Sequence, residues 1–228
     1  MSELRQTRET LQADFDRIAL LAAETWNHNA HYHQFLLSHV PKHCQRILEI
    51  GCGTGEFSRL LAQRAEEVLA LDLSPQMIRV AQQSSAQQPN INFVLDDVLT
   101  FDLPEDHFDC IASLTTFHHL PMETILQKVR EALKPKGIFL CLDLYQRSNW
   151  RELLSDVVAF PTSSFLRLVK TGRPRPPAEI REAYAQHDKT DAFLTLPQIQ
   201  RICAVEMPGA LVRQHLFWRY SIVWKKDR

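Results

Sequence analysis

A chain of 228 residues, 45% hydrophobic and 23% charged, can bury a sizeable core and is too balanced to be disordered or fibrous. Lysine plus arginine number 26 against 27 aspartates and glutamates, so a net charge of −1 offers no bulk attraction to nucleic acid or an anionic membrane. No apolar run reaches the roughly 18 residues of a membrane span, and the N-terminal Met1-Ser2-Glu3-Leu4-Arg5 has no apolar signal core. The five cysteines (Cys44, Cys52, Cys110, Cys141, Cys203) form no Cys-x-x-Cys pair, and three sit in apolar strand-like runs. Reduced thiols and a cytoplasmic setting are expected.

Residues 4–39 read as one or two amphipathic helices, with Leu4, Leu11, Phe15, Ile18 and Leu21 on one face. The polar and aromatic stretch from Trp26 to His33 interrupts that pattern, and Pro41 ends the segment. Short apolar runs then alternate with helical stretches. Strands are predicted at 46–50, 67–71, 92–95, 108–113 and 137–142, with helices near 55–64, 75–84 and 122–133. Leu133-Lys134-Pro135-Lys136-Gly137 reads as a helix stop and turn before the fifth strand. Residues 145–194 break the rhythm and are too long for a plain connection, which predicts an inserted helical cap. A helix near 198–205 and two nearly abutting antiparallel strands, 210–217 and 219–225, close the chain.

The expected fold is α/β: a Rossmann-like, mostly parallel seven-stranded sheet with an antiparallel terminal strand, N-terminal helices and the cap. One domain is expected, made of a helical cover (1–44), a core (45–144), the cap (145–195) and a terminal helix with strands (196–228).

Chemistry concentrates where the first strand ends, in Leu48-Glu49-Ile50-Gly51-Cys52-Gly53-Thr54-Gly55-Glu56. Glycines at that point let the backbone pass close to a ligand, in the crevice where open α/β sheets bind. Asp72 ends the second strand, a carboxylate suited to the two hydroxyls of a ribose. Nicotinamide dinucleotides and S-adenosylmethionine both fit those two features, so spacing decides. A dinucleotide site wants Gly-x-Gly-x-x-Gly, so that a pyrophosphate can rest on the helix N-terminus. Here Glu56 stands at the third glycine's place and would repel it. Glu49 instead offers an acid to a cationic α-amino group.

With Leu71-Asp72-Leu73-Ser74-Pro75-Gln76-Met77, Asp97-Val98, Phe108-Asp109 and Phe117-His118-His119-Leu120 following in order, the chain resembles the class I S-adenosylmethionine-dependent methyltransferases, notably those acting on small molecules. The resemblance runs from about residue 45 to 143. It implies a loop of Gly51, Cys52 and Gly53 under the methionine part of the cofactor, with Leu114 lining that end. It implies Asp72 on the ribose and Leu73 and Met77 beside the adenine. Asp97 would accept from the adenine amine with the Val98 amide facing the ring, and Asp96 stands next to it as the other carboxylate. Asp109 is implied to be structural, holding its loop.

Adjacent His118 and His119 lie about 100° apart on a helix and cannot chelate one ion from one face, as with His31 and His33, so no metal site is expected. His118 is the candidate general base. The stretch His28-Asn29-Ala30-His31-Tyr32 reads equally as a pocket contact and as a plain helix junction. Arg173, Arg175, Trp218 and Arg219 read first as surface charge and sheet packing. Methyl transfer from a sulfonium is an in-line displacement needing alignment above all, and a hydroxyl or amine acceptor gains from a base. The fourth strand lacks the Asp/Asn-Pro-Pro-aromatic turn that marks amino-methylating DNA enzymes, and the chain has no Pro-Cys dipeptide. The expectation is methylation of an oxygen or nitrogen on a small metabolite, with no DNA, metal or membrane partner. The alternatives are a non-catalytic cofactor-binding module with a protein partner, and less favourably an RNA methyltransferase.

Overall fold

The computed structural model describes residues 2–21, 28–146, 168, 177–179 and 193–227. The expected cap falls almost wholly outside these residues, as do Arg173 and Arg175.

Seven strands form one sheet: β1 (Cys44–Ile50), β2 (Ala65–Asp72), β3 (Ile91–Leu95), β4 (Phe108–Leu114), β5 (Leu133–Leu144), β6 (Leu211–His215) and β7 (Arg219–Lys225). Their order is β3-β2-β1-β4-β5-β7-β6, with β1 to β5 parallel and β7 antiparallel to both neighbours. The mostly parallel sheet with an antiparallel terminal strand is therefore as expected. The last hairpin folds back, so β7 lies inside the sheet and β6 at its edge.

The central strands are apolar on both faces because both are covered. Leu48, Ile50, Leu71, Ile111, Phe139, Cys141 and Ile222 point one way, towards α5 (Met122–Ala132) and α6 (Leu196–Glu206). Ile47, Val68, Ala70, Cys110, Ala112, Leu140 and Leu142 point the other way, towards α2 (His28–His39) and α3 (Glu56–Leu61). This alternation is the period of two of a strand, and each residue set fills one core. Helix α5 presents Met122, Ile125, Leu126, Val129 and Ala132 at three- and four-residue steps, a complete buried stripe. All five cysteines are buried and unpaired with one another.

Three local expectations are corrected. The stretch Trp26–His33 does not interrupt the helical pattern throughout, because α2 already begins at His28. Its Tyr32, His33, Leu36 and Leu37 are buried, and that face holds the polar start in helical register. Likewise Leu133–Gly137 is not a separate turn, since β5 runs from Leu133 with a register shift between Phe108 and Cys110. Lys136, at φ 66°, takes up the irregularity as a bulge. The last two strands do not nearly abut: β6 ends at His215, and Phe217 and Trp218, both at positive φ, make the turn to β7.

At the amino end of the sheet, Asp109 accepts hydrogen bonds from the Gln45 and Arg46 amides, both at 2.8 Å, and pairs with Lys134 Nζ at 2.8 Å. Burial opposes ionisation there, but the lysine and the amide donors prevail and hold its carboxyl below the usual range. Asp109 thus joins β1, β4 and β5 at the end opposite the glycine turn.

Candidate active site

Strand order reverses at β1, whose neighbours are β2 and β4, and the glycine turn leaves β1 at this switch point. Gly51, Gly53 and Gly55 all have positive φ, at 73°, 52° and 73°. Each glycine answers a different demand. A Cβ on Gly51 would lie 2.0 Å from Thr116 Oγ1, so its absence lets the loop after β4 sit directly on the turn. A Cβ on Gly55 would meet the Phe93 ring at 2.9 Å, so that glycine permits packing between α3 and β3. A Cβ on Gly53 would meet nothing within 4 Å. The space over Gly53 is a cradle that a side chain would fill.

Asp72 is bonded to that turn, and Glu49 is buried beneath it. Asp72 Oδ2 accepts from the Gly53 amide at 2.7 Å and Oδ1 from the Ser74 amide at 2.9 Å. Burial raises its pKa while amide donors, Ser74 and Gly53 first, hold it down. The residue as a whole is half-buried. Glu49 is 1% exposed, and the Ser58 hydroxyl donates to its Oε2. Burial pushes its pKa up to about 8, Asp72 adds to the rise, and the Ser58 hydrogen bond and Arg59 oppose it. The acid expected to meet a cation thus stands near the end of β1, buried against Ser58 of α3. Cys52 is buried with its thiol pKa pushed well up by the same burial, which leaves only its backbone for chemistry.

Beyond β3, Asp97 is buried and Asp96 exposed, which separates the two carboxylates. Asp96 Oδ1 accepts from the Asp97 amide at 2.7 Å, and Asp97 Oδ1 accepts from the Leu99 amide at 2.8 Å. Val98 is buried in the core, Leu73 is half-buried, and the Leu114 carbonyl accepts from the Thr116 hydroxyl at 3.2 Å. Met77 lies in the first turn of α4 (Pro75–Ser84), whose N-cap is Ser74. It packs on Ile18 and Ala19 of α1 (Ser2–Leu21) as part of a small core. The same α1 reaches Asp97 through an Arg8 ion pair, and Asp16 accepts from Ser74 Oγ at 2.5 Å and from the Gln76 amide at 3.2 Å. Neither contact was legible in the helical periodicity, which marks only the apolar face.

His118 lies on the single turn Phe117–His119 after β4. Its amide donates to Asp143 Oδ2 at 2.7 Å, and its Nδ1 faces Asp143 Oδ1 at 2.6 Å. Asp143, near the end of β5, is 0% exposed. Sequence reasoning singled out His118 and passed over Asp143. The signal was an acid inside the apolar run Phe139–Leu144, where an unpartnered carboxylate would be costly. His119 turns instead to the Phe15 ring of α1, with centroids 5.5 Å apart. From α2, Asn29 donates to Thr115 Oγ1 at 2.9 Å and accepts from Arg219 Nε at 3.0 Å. Of the equally weighted readings of that polar stretch, this one joins α2 to the loop after β4. Arg219 is buried as well, held also by the Phe217 carbonyl at 2.8 Å.

The glycine turn, the open space over Gly53 and the Asp72 carboxylate bonded to its amide stand together at the carboxyl end of β1 and β2. Among the described residues no cluster of histidine, cysteine or carboxylate groups could hold a metal, and no helix is long and apolar enough to cross a membrane.

Residues 47–137 match the family model of a methyltransferase domain. An uncharacterised methyltransferase of Mycobacterium bovis is 28% identical over 203 residues, covering 89% of this chain and 98% of its own. A malonyl-[acyl-carrier protein] O-methyltransferase of Ilyobacter polytropus is 40% identical over 81 residues, 35% of this chain and 30% of its own length. Among solved structures, the N-methyltransferase NodS of Bradyrhizobium japonicum, bound to S-adenosylhomocysteine, superimposes with a TM-score of 0.62 at 16% identity. That match covers 97% of this chain and 99% of the other. A Haloferax volcanii methyltransferase in complex with its Trm112 activator gives 0.67 at 14% identity, covering 94% and 98%. At such identities the likeness is one of fold.

Proposed function

We propose that the chain is a class I S-adenosylmethionine-dependent methyltransferase whose acceptor is an oxygen or nitrogen of a small organic metabolite. The cofactor supplies a methyl group made electrophilic by a sulfonium sulfur. Residues of this chain hold it and order the acceptor. In the proposed arrangement Gly51, Cys52 and Gly53 pass beneath the methionine part, with Leu114 at its side. Glu49 faces the amino group, Asp72 takes the ribose hydroxyls, and Leu73 and Met77 flank the adenine. Asp97 accepts from the adenine amine and the Val98 amide faces the ring. The open space over Gly53 supports this reading, as do the Asp72 carboxylate bonded to the Gly53 amide and the burial of Asp97.

The observation that carries an O- or N-acceptor is the His118–Asp143 pair. A carboxylate accepting from Nδ1–H fixes the proton on that nitrogen, which makes Nε2 the acceptor of the neutral ring. A hydroxyl acceptor loses its proton to such a nitrogen as the new bond forms, and an ammonium must lose it beforehand to free the lone pair that attacks, a contribution of about 10²–10⁴-fold. Thr116, two residues before His118, sits against Gly51, so the pair and the turn share one end of the sheet. Small-molecule chemistry is also carried by relatives named for malonyl-[acyl-carrier protein] and for 2-methyl-6-phytyl-1,4-hydroquinone, each matching under half of this chain.

Labelled methyl transfer to a panel of hydroxyl, carboxyl and amine acceptors tests the reading. Production of S-adenosylhomocysteine should depend on acceptor and fall in His118→Ala, with affinity for S-adenosylhomocysteine unchanged. Equal turnover in wild type and His118→Ala removes the base. A second reading, action together with a protein activator, draws on the Trm112-bound neighbour, and copurification of a stoichiometric partner that raises turnover would favour it.

A further inference from the structure

The N-terminal helix meets the cofactor site at a carboxylate that the cofactor itself requires. We propose that Arg8 sets cofactor affinity by competing with the adenine amine for Asp97, an inference that rests on Asp97 being the adenine acceptor. Asp97 Oδ1 is occupied by the Leu99 amide at 2.8 Å, and Oδ2 is paired with Arg8 Nη2. The Asp97 side chain is only 9% exposed, whereas that of Arg8 is 45% exposed. An entering amine therefore cannot find a bare face of the carboxylate and must displace or share the guanidinium. The exchange is easy in one direction only, because Arg8 can swing into water and Asp97 cannot.

Helix α1 is held in place independently of this pair. Asp16 is bonded to Ser74 and Gln76 at the start of α4, and Ile18 and Ala19 pack on Met77. Arg8 and Asp16 are eight residues apart in α1, about 12 Å along its axis. The helix so spans from the start of α4, next to Asp72, to Asp97 beyond β3. Asp72 and Asp97 lie close together at that end, since the Asp96 amide donates to the Asp72 carbonyl at 3.1 Å. Release of Arg8 need not unseat the helix. Because cofactor and demethylated product carry the same adenine, the competition weakens both alike. It speeds product release while leaving the methyl-transfer step untouched, the signature of uniform binding.

Calorimetry with S-adenosylhomocysteine tests this. Arg8→Ala should bind it about two- to five-fold more tightly than wild type, the range of a partly exposed ion pair. Arg8→Lys, which keeps the charge, should stay near wild type. Wild-type affinity should rise as salt screens the pair, and that rise should vanish in Arg8→Ala. Asp97→Asn should weaken binding, and adding Arg8→Ala to it should change nothing further. If Asp97→Asn binds as wild type does, the adenine does not use Asp97 and the reading of the site fails. If Asp97→Asn is weakened yet Arg8→Ala binds no more tightly, the site stands and the competition is overturned. The salt series on unaltered protein overturns it equally, should affinity not rise, and needs no variant to fold.

Discussion

His118 and Asp143 are joined twice, through the histidine amide at 2.7 Å and the ring Nδ1 at 2.6 Å, in a pocket where the carboxylate has no exposure. The Leu144 amide adds a third donor at 2.8 Å, so both oxygens of Asp143 are committed. Charge-assisted hydrogen bonds of this kind fix a ring's tautomer as well as its position. Asp143→Asn must turn an amide NH2 towards one of those donors, which is expected to lower stability by about 1–3 kcal/mol. It should also reduce turnover roughly a hundredfold, within the range of base catalysis. Combining it with His118→Ala should cost no more turnover than His118→Ala alone. Fully multiplicative losses in the double variant would mean that Asp143 does not act through His118.

Gly51 and Gly53 share a left-handed backbone but not a reason for it. Gly51→Ala drives a methyl group into Thr116 at a separation no relaxed packing permits, so the loop bearing His118 must move. It is expected to destabilise the protein by about 2–4 kcal/mol, the combined scale of overpacking and backbone strain. Gly53→Asn meets no neighbour, and asparagine tolerates this backbone better than most residues. Its melting temperature should stay within a few degrees of wild type while binding of S-adenosylhomocysteine is lost, because the added side chain fills the cradle. Retained binding by a folded Gly53→Asn protein would show that the cofactor does not lie over Gly53.

The sheet was legible because its signals are local. Five apolar runs, three of them followed by a helical stretch, leave few topologies, and the right-handed crossover rule prunes the rest. The turn at Gly51–Gly55 and the acid at Asp72 were legible for the same reason: a short motif encodes them. Asp143 was not, because its meaning depends on a histidine 25 residues away that only strand pairing brings beside it. Arg8 and Asp16 were invisible for a related reason. Arg8 falls within the apolar stripe, between Leu4 and Leu11, and Asp16 stands at its flank, and nothing at either position names a partner until the helix is docked. Asp109 shows the reverse: an acid of the same motif set as the site residues stands at the opposite end of the sheet, bound to Lys134 and two β1 amides.

Glu49 offers a test of the methionine end that does not depend on the acceptor. Its pKa, raised by burial from an ordinary 4.5 to about 8, keeps it protonated at pH 7 in the cofactor-free protein. A cationic amino group placed beside it favours the carboxylate and pulls that pKa down. Binding at pH 7 should then release a proton, and affinity should rise with pH up to about 8. Calorimetry in phosphate and in Tris, whose ionisation enthalpies differ, should give different apparent enthalpies for wild type and equal ones for Glu49→Gln. The same shift carries a stability signature. The folded protein holds this proton more tightly than the unfolded chain, so its stabilising contribution is complete below pH 4.5 and lost as pH rises through about 8. Glu49→Gln should therefore melt above wild type at pH 9 and lose that advantage in acid. Equal enthalpies in both buffers for wild type would remove the amino group from Glu49, whatever the melting curves do.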